Sequence, residues 1–272
     1  MKVDKLNPDQ VDRYSRHIIM PQVGSEGQRK ILNSSVLIVG AGGLGSPAAL
    51  YLALAGVGRM GIVDFDVVER SNLQRQVLHR DEDVGKRKVI SAKETINAYN
   101  PDVDVEVYEE PINSSNAMRI IDKYDVVING ADNFPTRYLI CDATFFSKKA
   151  LVDGSILSFD GQVTTYIPGS NCYRCIFPDP PPPGSVPSCS EAGVIGALPG
   201  LVGSIQAIET IKYLLGQGDL LEGRMILIDA LSMEFRTVNI KRNIECALCG
   251  NSPSVTDLID YELFCGVPAV ES

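Results

Sequence analysis

The sequence lacks several features that would each place it in a special class of protein. No apolar run reaches the roughly 20 residues that a membrane-spanning helix needs. The N-terminus, Met1 to Lys5, leads into polar residues rather than the apolar core of a secretory signal. An excess of positive charge is also missing, since 25 Lys and Arg face 34 Asp and Glu. We therefore expect a cytoplasmic protein that binds neither a membrane nor, because an acidic chain repels phosphates, nucleic acid.

What is present is an alternation of short apolar strands and helical stretches. Ser35–Gly40, Met60–Asp64 and Asp125–Asn129 are typical of buried parallel strands. Ser46–Ala55 and Gly85–Asn100 lie between them and favour helix. The alternation predicts an α/β fold with a Rossmann-like, doubly wound, mainly parallel sheet.

The flanking segments depart from this alternation. Pro8–Leu32 predicts an N-terminal helical arm, and Gly161–Ile167 an antiparallel strand. Ala192–Leu215 predicts a long helix, and a hairpin is expected over Arg224–Asp229 and Phe235–Ile240. Between them, the proline-rich segment 178–187 excludes regular structure and predicts a mobile loop. No repeat and no linker precede residue 250, so we expect one domain over 1–250 and a tail over 251–272.

A glycine-rich loop follows the first predicted strand and opens a helix. Such glycines permit a tight turn that brings backbone N–H groups close to a phosphate. Asp64 and Asp66 end the next strand, where an acid can hold ribose hydroxyls. This pattern suits NAD, FAD or ATP equally, which keeps an NAD-dependent oxidoreductase as one hypothesis. The loop glycines are Gly40, Gly42, Gly43 and Gly45.

Four of the seven cysteines form two C-x-x-C pairs. Each pair can point two thiolates at one tetrahedral ion, so together they predict a closed Cys₄ structural zinc site that clips the C-terminal part to the domain. Disulfides and a redox C-x-x-C are the alternatives. The predicted ligands are Cys172, Cys175, Cys246 and Cys249.

The remaining cysteines have different settings. Cys189 lies between the proline-rich segment and an apolar helix, where a helix N-terminus can lower a thiol pKa, so we predict a nucleophile. Cys141 falls in an apolar helix and is expected in the core. Cys265 lies in the tail without an evident partner.

A polar segment, Ser71–Gln76, follows the Asp64 strand and is unsuited to a core. Here the sequence resembles the ThiF/MoeB/HesA superfamily, activating enzymes related to ubiquitin activation. The resemblance runs from about Asp9 to Gly250, and the motifs recur in one order. They are Arg13–His17, Gly40–Gly45, Asp64–Asp66, Ser71–Gln76, Gly85–Lys88, Ala131–Asn133, Ser188–Gly193 and the two cysteine pairs.

The resemblance implies ATP-dependent adenylylation of the C-terminal carboxylate of a ubiquitin-like sulfur-carrier protein ending in Gly-Gly. It implies that Arg75 and Lys88 contact the triphosphate, that Asp132 holds Mg²⁺, and that Arg16 comes from the second subunit of a homodimer. By the same resemblance Asp64 holds the ribose and Asn72 helps to orient the phosphates. The implied nucleotide-binding set also takes in Asp66, Ser71, Leu73, Gln74 and Asn133.

Two further expectations come from similar enzymes. The role of Cys189 varies among them, between a thioester and a disulfide or acyl-disulfide link to the carrier. Ser254–Gly266 resembles the linker that precedes a rhodanese-like sulfur donor in longer relatives. Either the donor, a rhodanese or a cysteine desulfurase, is a separate protein, or the chain derives from a longer ancestor. Alternatives within the superfamily are a non-catalytic scaffold and an enzyme that adenylates a small molecule or a tRNA base.

Overall fold

The computed structural model describes residues 3–182, 192–259 and 261. Within them, eight strands form one sheet in the order β3-β2-β1-β4-β5-β6-β7-β8. Strands β1 to β5 pair in parallel, and β6 to β8 are added antiparallel. The strands are β1 Ser35–Val39, β2 Arg59–Val63, β3 Asp104–Tyr108, β4 Val126–Asn129, β5 Ala150–Leu157, β6 Asp160–Tyr166, β7 Arg224–Asp229 and β8 Glu234–Asn239. The helices are α1 Pro8–Arg13, α2 Ser15–Ile18, α3 Gly24–Leu32, α4 Gly45–Ala55, α5 Lys88–Tyr99, α6 Ala117–Ile121, α7 Phe134–Phe146 and α8 Ala197–Leu215.

Alternate residues of the central strands face two separate cores. Val36 and Ile38 of β1 pack in the core that includes residues of α4, α5 and α8. Leu37 and Val39 pack in the opposite core, which includes residues of α6 and α7. Because successive strand residues point to opposite faces, a strand covered on both sides must be apolar throughout. The predicted doubly wound α/β fold is confirmed, and so is the hairpin of β7 and β8.

The order of the strands creates a crevice. From β1 the chain adds β2 and β3 on one side, then returns to add β4 and β5 on the other. Open α/β sheets bind ligands at the carboxyl ends of the strands where the order reverses. In this chain that point lies between β1 and β4, directly beside the glycine loop.

The predicted N-terminal helical arm consists of α1, α2 and α3, and it is held to the domain at Tyr14. This side chain is 2% exposed, and its hydroxyl accepts a hydrogen bond from Asn100 Nδ2 at 2.9 Å. Its ring lies over Gly56, where an added Cβ would come within 2.5 Å of Tyr14 Cζ. Gly56 also has a φ of 87° as the C-cap of α4. A glycine is therefore required there by both conformation and space.

Two helix boundaries differ from those predicted. Helix α5 begins at Lys88 rather than Gly85, because Gly85 has a φ of +90° and stands outside the helix. Helix α8 begins at Ala197 rather than at the predicted Ala192, because Gly193 has a φ of +74° and stands outside the helix. Helix α7 begins at Phe134, where Asn133 caps it by accepting a hydrogen bond from Thr136 N. None of the described helices is both long and apolar enough to cross a bilayer.

Candidate active site

A cavity of about 980 Å³ opens at the carboxyl ends of β1, β2 and β4. The residues that line it are far apart in the sequence, from the glycine loop near residue 40 to β8 near residue 236. Nine of the predicted site residues line it. They are Gly40, Gly42, Gly43, Asp64, Asp66, Arg75, Lys88, Asp132 and Asn133.

Other predicted residues do not line this cavity. Asn72 is buried in a 3-10 turn, where its Oδ1 accepts a hydrogen bond from Glu69 N at 3.0 Å. Arg16 is exposed on α2, and Cys189 lies outside the described residues. The predicted residues absent from the cavity wall are Arg16, Gly45, Ser71, Asn72, Leu73 and Gln74.

The glycine loop is shaped by close backbone contacts. Gly40 has a φ of +93°, and an added Cβ would lie 2.9 Å from the carbonyl oxygen of Gly130. At Gly45 an added Cβ would lie 1.8 Å from the carbonyl oxygen of Gly40. Both positions therefore require glycine, and the loop is pressed against the end of β4.

The far side of the loop presents backbone donors to the cavity. Within the described part of the chain, the N–H groups of Gly42, Gly43 and Leu44 have no hydrogen-bond partner, and all three residues line the cavity. They directly precede α4, whose N-terminus carries the positive end of the helix dipole. Unpaired N–H groups at such a helix start favour a phosphate.

Asp64 ties the loop to the end of β2. Its Oδ2 accepts a hydrogen bond from Ala41 N at 2.8 Å, and its Oδ1 accepts one from Asp66 N at 2.9 Å. Burial raises the pKa of Asp64, and the nearby Lys88 opposes that rise. Each carboxylate oxygen has a second lone pair, so the group can still accept a ligand hydroxyl.

Two of the cations that line the cavity, Lys88 and Arg75, belong to the predicted site. Lys88 is 7% exposed, and its Nζ lies 2.7 Å from Oδ2 of the half-exposed Asp66. Arg75 donates through Nη1 to the carbonyl oxygen of Ser71 at 3.1 Å. In the described ranges no carboxylate pairs with Arg75, so its guanidinium can bind an anion.

A buried polar network positions the segment that carries Asp132. Ala131 N donates to Asn129 Oδ1 at 3.0 Å, and Arg137 Nη2 donates to the Ala131 carbonyl at 3.0 Å. Arg137 Nη1 also donates to Asp153 Oδ1 at 2.9 Å. Burial raises the pKa of Asp153, and Arg137 opposes that rise. Asp132 itself remains exposed at the end of β4, facing the cavity.

Sequence reasoning did not single out several residues of the wall. Gln76 is 3% exposed, lines the cavity, and has an Oε1 without a hydrogen-bond partner. Gln76 is the last residue of the polar segment Ser71–Gln76, so the local sequence did indicate a place in the site. No comparable sequence signal marked Arg137, because a single arginine in an amphipathic helix is ordinarily solvated. The outer part of the wall, from β6 to β8, was missed as well; it includes Asp160, Gln162, Asp229, Glu234 and Arg236.

The two C-x-x-C pairs meet in the core that includes residues of α6 and α7. All four Sγ atoms lie within 4.8 Å of one another. The Sγ atoms of Cys172 and Cys246 are 3.5 Å apart, and those of Cys175 and Cys249 are 3.3 Å apart. Those separations exceed the bond length of about 2.05 Å in a disulfide. A tetrahedral zinc with Zn–S bonds of about 2.3 Å places sulfurs about 3.8 Å apart, so the cluster could hold this ion.

The first cysteine pair is anchored by the arginine inside it. Arg174 donates to Asp142 Oδ1 at 2.9 Å and to Oδ2 at 3.0 Å, and it lies over the ring of Tyr138. It also donates to the hydroxyl of Tyr261 at 2.6 Å, which brings the end of the described chain onto this cluster. Cys141, beside Asp142, is 2% exposed, which confirms its predicted place in the core.

Comparison with known proteins identifies the family of this chain. The model of the ThiF family matches residues 14–248. A protein of Thermus thermophilus called "Sulfur carrier protein adenylyltransferase" is 51% identical over 265 residues, covering 95% of this chain and 98% of that protein.

A longer relative and a solved structure are also similar to this chain. "Adenylyltransferase and sulfurtransferase MOCS3" of Aedes aegypti is 46% identical over 271 residues; 99% of this chain but only 62% of that protein is covered. A crystal structure of E. coli MccB with ATP has the same fold, with a TM-score of 0.77 and 24% identity over 88% of this chain and 75% of MccB.

The family match excludes the NAD-dependent oxidoreductase, because it covers the glycine loop, the polar segment and most of both cysteine pairs at once. Close identity over nearly the whole of a named adenylyltransferase likewise sets aside the non-catalytic scaffold. The chain belongs to the ThiF family, and it is an enzyme of the adenylyltransferase class.

Proposed function

We propose that this enzyme uses ATP to adenylylate the C-terminal glycine carboxylate of a ubiquitin-like sulfur-carrier protein, which prepares the carrier for thiocarboxylate formation. The observation that carries the proposal is the cavity, which combines unpaired N–H groups, two cations and an exposed carboxylate at one sheet edge. The name of the Thermus thermophilus relative supports the choice of substrate.

The chemistry explains this combination. A carboxylate oxygen of the carrier attacks the α-phosphorus of ATP, and the bond between that phosphorus and the bridging oxygen to the β-phosphate breaks. Pyrophosphate leaves, and the products are an acyl-adenylate and pyrophosphate. Negative charge shifts onto the leaving phosphates, so fixed donors and cations that meet it there lower the barrier.

We assign roles to the residues accordingly. Arg75 and Lys88 bind the triphosphate, together with the N–H groups of the glycine loop. Asp64 accepts a ribose hydroxyl, and Asn72 helps to orient the phosphates by fixing the 3-10 turn that precedes Arg75. When ATP binds, Lys88 exchanges its ion pair with Asp66 for one with the phosphates. This exchange is possible because Asp66 is half exposed, so water can solvate its carboxylate.

Asp132 is proposed to hold Mg²⁺. An exposed carboxylate beside a phosphate site is the donor that this ion prefers, and Asp132 is exposed on the cavity wall. The bound ion would neutralise phosphate charge. Zinc is proposed for the four-cysteine cluster, where it is structural, because all four ligand positions are filled by the chain.

We also propose a homodimer that completes the site. Arg16 is exposed on α2 and does not line the cavity of its own chain. Large apolar side chains are exposed just after α2, on α4 and on α8, which favours a protein partner over this face. They are Ile19, Met20, Tyr51, Leu54 and Ile208.

We further propose roles for Cys189, for the sulfur donor and for the C-terminal tail. Cys189 is proposed to act as a nucleophile after adenylylation, and the sulfur donor to be a rhodanese or a cysteine desulfurase. The domain is proposed to end near Gly250, close to the end of the family match at residue 248. The tail over 251–272 would correspond to the linker of longer relatives.

The test is pyrophosphate exchange into ATP in the presence of a candidate carrier ending in Gly-Gly. We expect carrier-dependent exchange by the wild type and loss of at least about a hundredfold in Asp132→Ala, as for removal of a strong electrostatic contact. Asp122→Ala changes an exposed acid at the end of α6 and is the matched control. The proposal fails if no Gly-Gly carrier from the same genome supports exchange.

A further inference from the structure

His79 is a buried histidine behind the glycine loop, and the function proposed above does not use it. It is 6% exposed. Its Nε2 lies 3.0 Å from the carbonyl oxygen of Ala41, and its Nδ1 lies 2.9 Å from Ser91 Oγ. A carbonyl oxygen can only accept, so Nε2 carries the hydrogen. Burial lowers the pKa of His79, and the nearby Lys88 lowers it further, while the Nε2–H donates to the Ala41 carbonyl whether the ring is neutral or charged.

The orientation of the ring is fixed from the other side. Ser91 Oγ reaches Nδ1 of His79 at 2.9 Å and Oδ2 of Asp83 at 2.9 Å. Asp83 is itself held by Lys86 Nζ at 2.9 Å and by Arg80 N at 3.1 Å. The imidazole is therefore the last member of a hydrogen-bonded chain that ends on one peptide group of the glycine loop.

That peptide group is held at its carbonyl, and the peptide group before it is held at its N–H. Ala41 N donates to Asp64 Oδ2 at 2.8 Å, and the Ala41 carbonyl accepts from Ser46 Oγ at 2.9 Å as well as from His79. The peptide bond from Ala41 to Gly42 is planar and trans, so its C=O and N–H point in opposite directions. A carbonyl fixed toward His79 consequently turns the Gly42 N–H away from the interior, and Gly42 lines the cavity.

We propose that His79 is a positioning residue for phosphate binding, which acts by aiming the Gly42 N–H into the cavity through the Ala41 carbonyl. The inference rests on the proposed function, because it takes the phosphates of ATP as the group that Gly42 meets. His79 contacts no substrate in this arrangement. Its effect is therefore expected on the triphosphate and not on the nucleoside.

The experiment compares variants of the 272-residue chain by titration calorimetry with ATP and with adenosine. In His79→Leu the donor to Ala41 is lost, and we expect ATP affinity to fall about tenfold, the value of one charge-assisted hydrogen bond, with adenosine affinity unchanged. His79→Gln carries an amide N–H at about the reach of Nε2, and it should restore ATP affinity to near that of the wild type.

Thr95→Val is the matched control for general destabilisation. Thr95 Oγ1 donates to the Leu78 carbonyl at 2.8 Å, so this variant breaks a buried side-chain-to-carbonyl bond beside His79 without touching Ala41. We expect a lower melting temperature and an unchanged ratio of ATP to adenosine affinity. If His79→Leu does not fold, His79→Asn, whose amide is too short to reach Ala41, takes its place with the same expectation.

Three results would overturn the inference. His79→Leu could bind ATP as tightly as the wild type, or its affinities for ATP and for adenosine could fall by the same factor. His79→Gln could also fail to restore the affinity for ATP. A wild type that binds no ATP would instead refute the proposed function, and this inference with it.

Discussion

Single polar residues inside otherwise apolar elements decide the shape of the candidate site. Arg137 is 6% exposed in α7, and Asp153 is 2% exposed in β5. Neither contributes to a sequence motif, yet their ion pair and the bond from Arg137 to Ala131 fix the segment that presents Asp132. A buried charge requires a partner, so such residues can be recognised only when the fold has brought the partner to them.

Arg137→Met should destabilise the protein strongly, since it leaves the Asp153 carboxylate buried without its cation. Loss of one partner of a buried pair typically lowers the free energy of unfolding by about 3–5 kcal/mol. Urea unfolding measures the change, and the double variant Arg137→Met/Asp153→Asn should recover part of the loss. An unaltered urea midpoint in the single variant would show that the pair is not important for stability.

At the scale of elements, the four-cysteine cluster joins parts of the chain that the sheet does not hold together. The turn that carries Cys172 and Cys175 follows β6, whereas Cys246 and Cys249 follow β8. Arg174 ties the first turn to α7 and, through Tyr261, to the start of the tail. A metal at this point would stabilise the C-terminal segment by closing it onto the domain.

We expect one zinc per chain by elemental analysis, and loss of that zinc in Cys246→Ser. The melting temperature should fall by about 10 °C, as expected for a structural metal in a domain of this size. Thr144→Val is the control and should keep its zinc, because it removes another buried polar group of α7, a hydroxyl that donates to the Ile140 carbonyl at 2.7 Å. Purified wild type without zinc would contradict the prediction.

At the scale of the whole molecule, the site of one chain is proposed to need Arg16 of another. A mixture of Arg16→Ala and Asp132→Ala chains, unfolded and refolded together, should regain about a quarter of the wild-type exchange activity. Half of the dimers are mixed, and each mixed dimer has one intact site. Each variant alone should be inactive in the pyrophosphate exchange assay.

The control mixture combines Arg75→Ala with Asp132→Ala. Both residues line the cavity of the same chain, so no arrangement of these subunits creates an intact site. Recovery of activity in this control, or none in the Arg16 mixture, would contradict the shared site.

The sequence by itself determined the elements and the chemistry that they carry. Period-two and period-3.6 apolar patterns act between neighbours in the chain, so β1, α4 and β2 could be predicted from local residues alone. The glycine loop and the paired cysteines were recognisable because their function depends on short, fixed spacing. Boundaries set by a single dihedral angle, such as the start of α5 after Gly85, were placed less well.

Only the tertiary structure decided which polar groups meet. The order of strands brought the ends of β1, β2 and β4 together, and it placed β6 to β8 on the outer wall of the same cavity. It also placed His79 behind Ala41, 38 positions away in the chain. Such contacts depend on the path of the whole backbone, because hydrogen bonds between distant residues form wherever folding leaves a buried donor beside an acceptor.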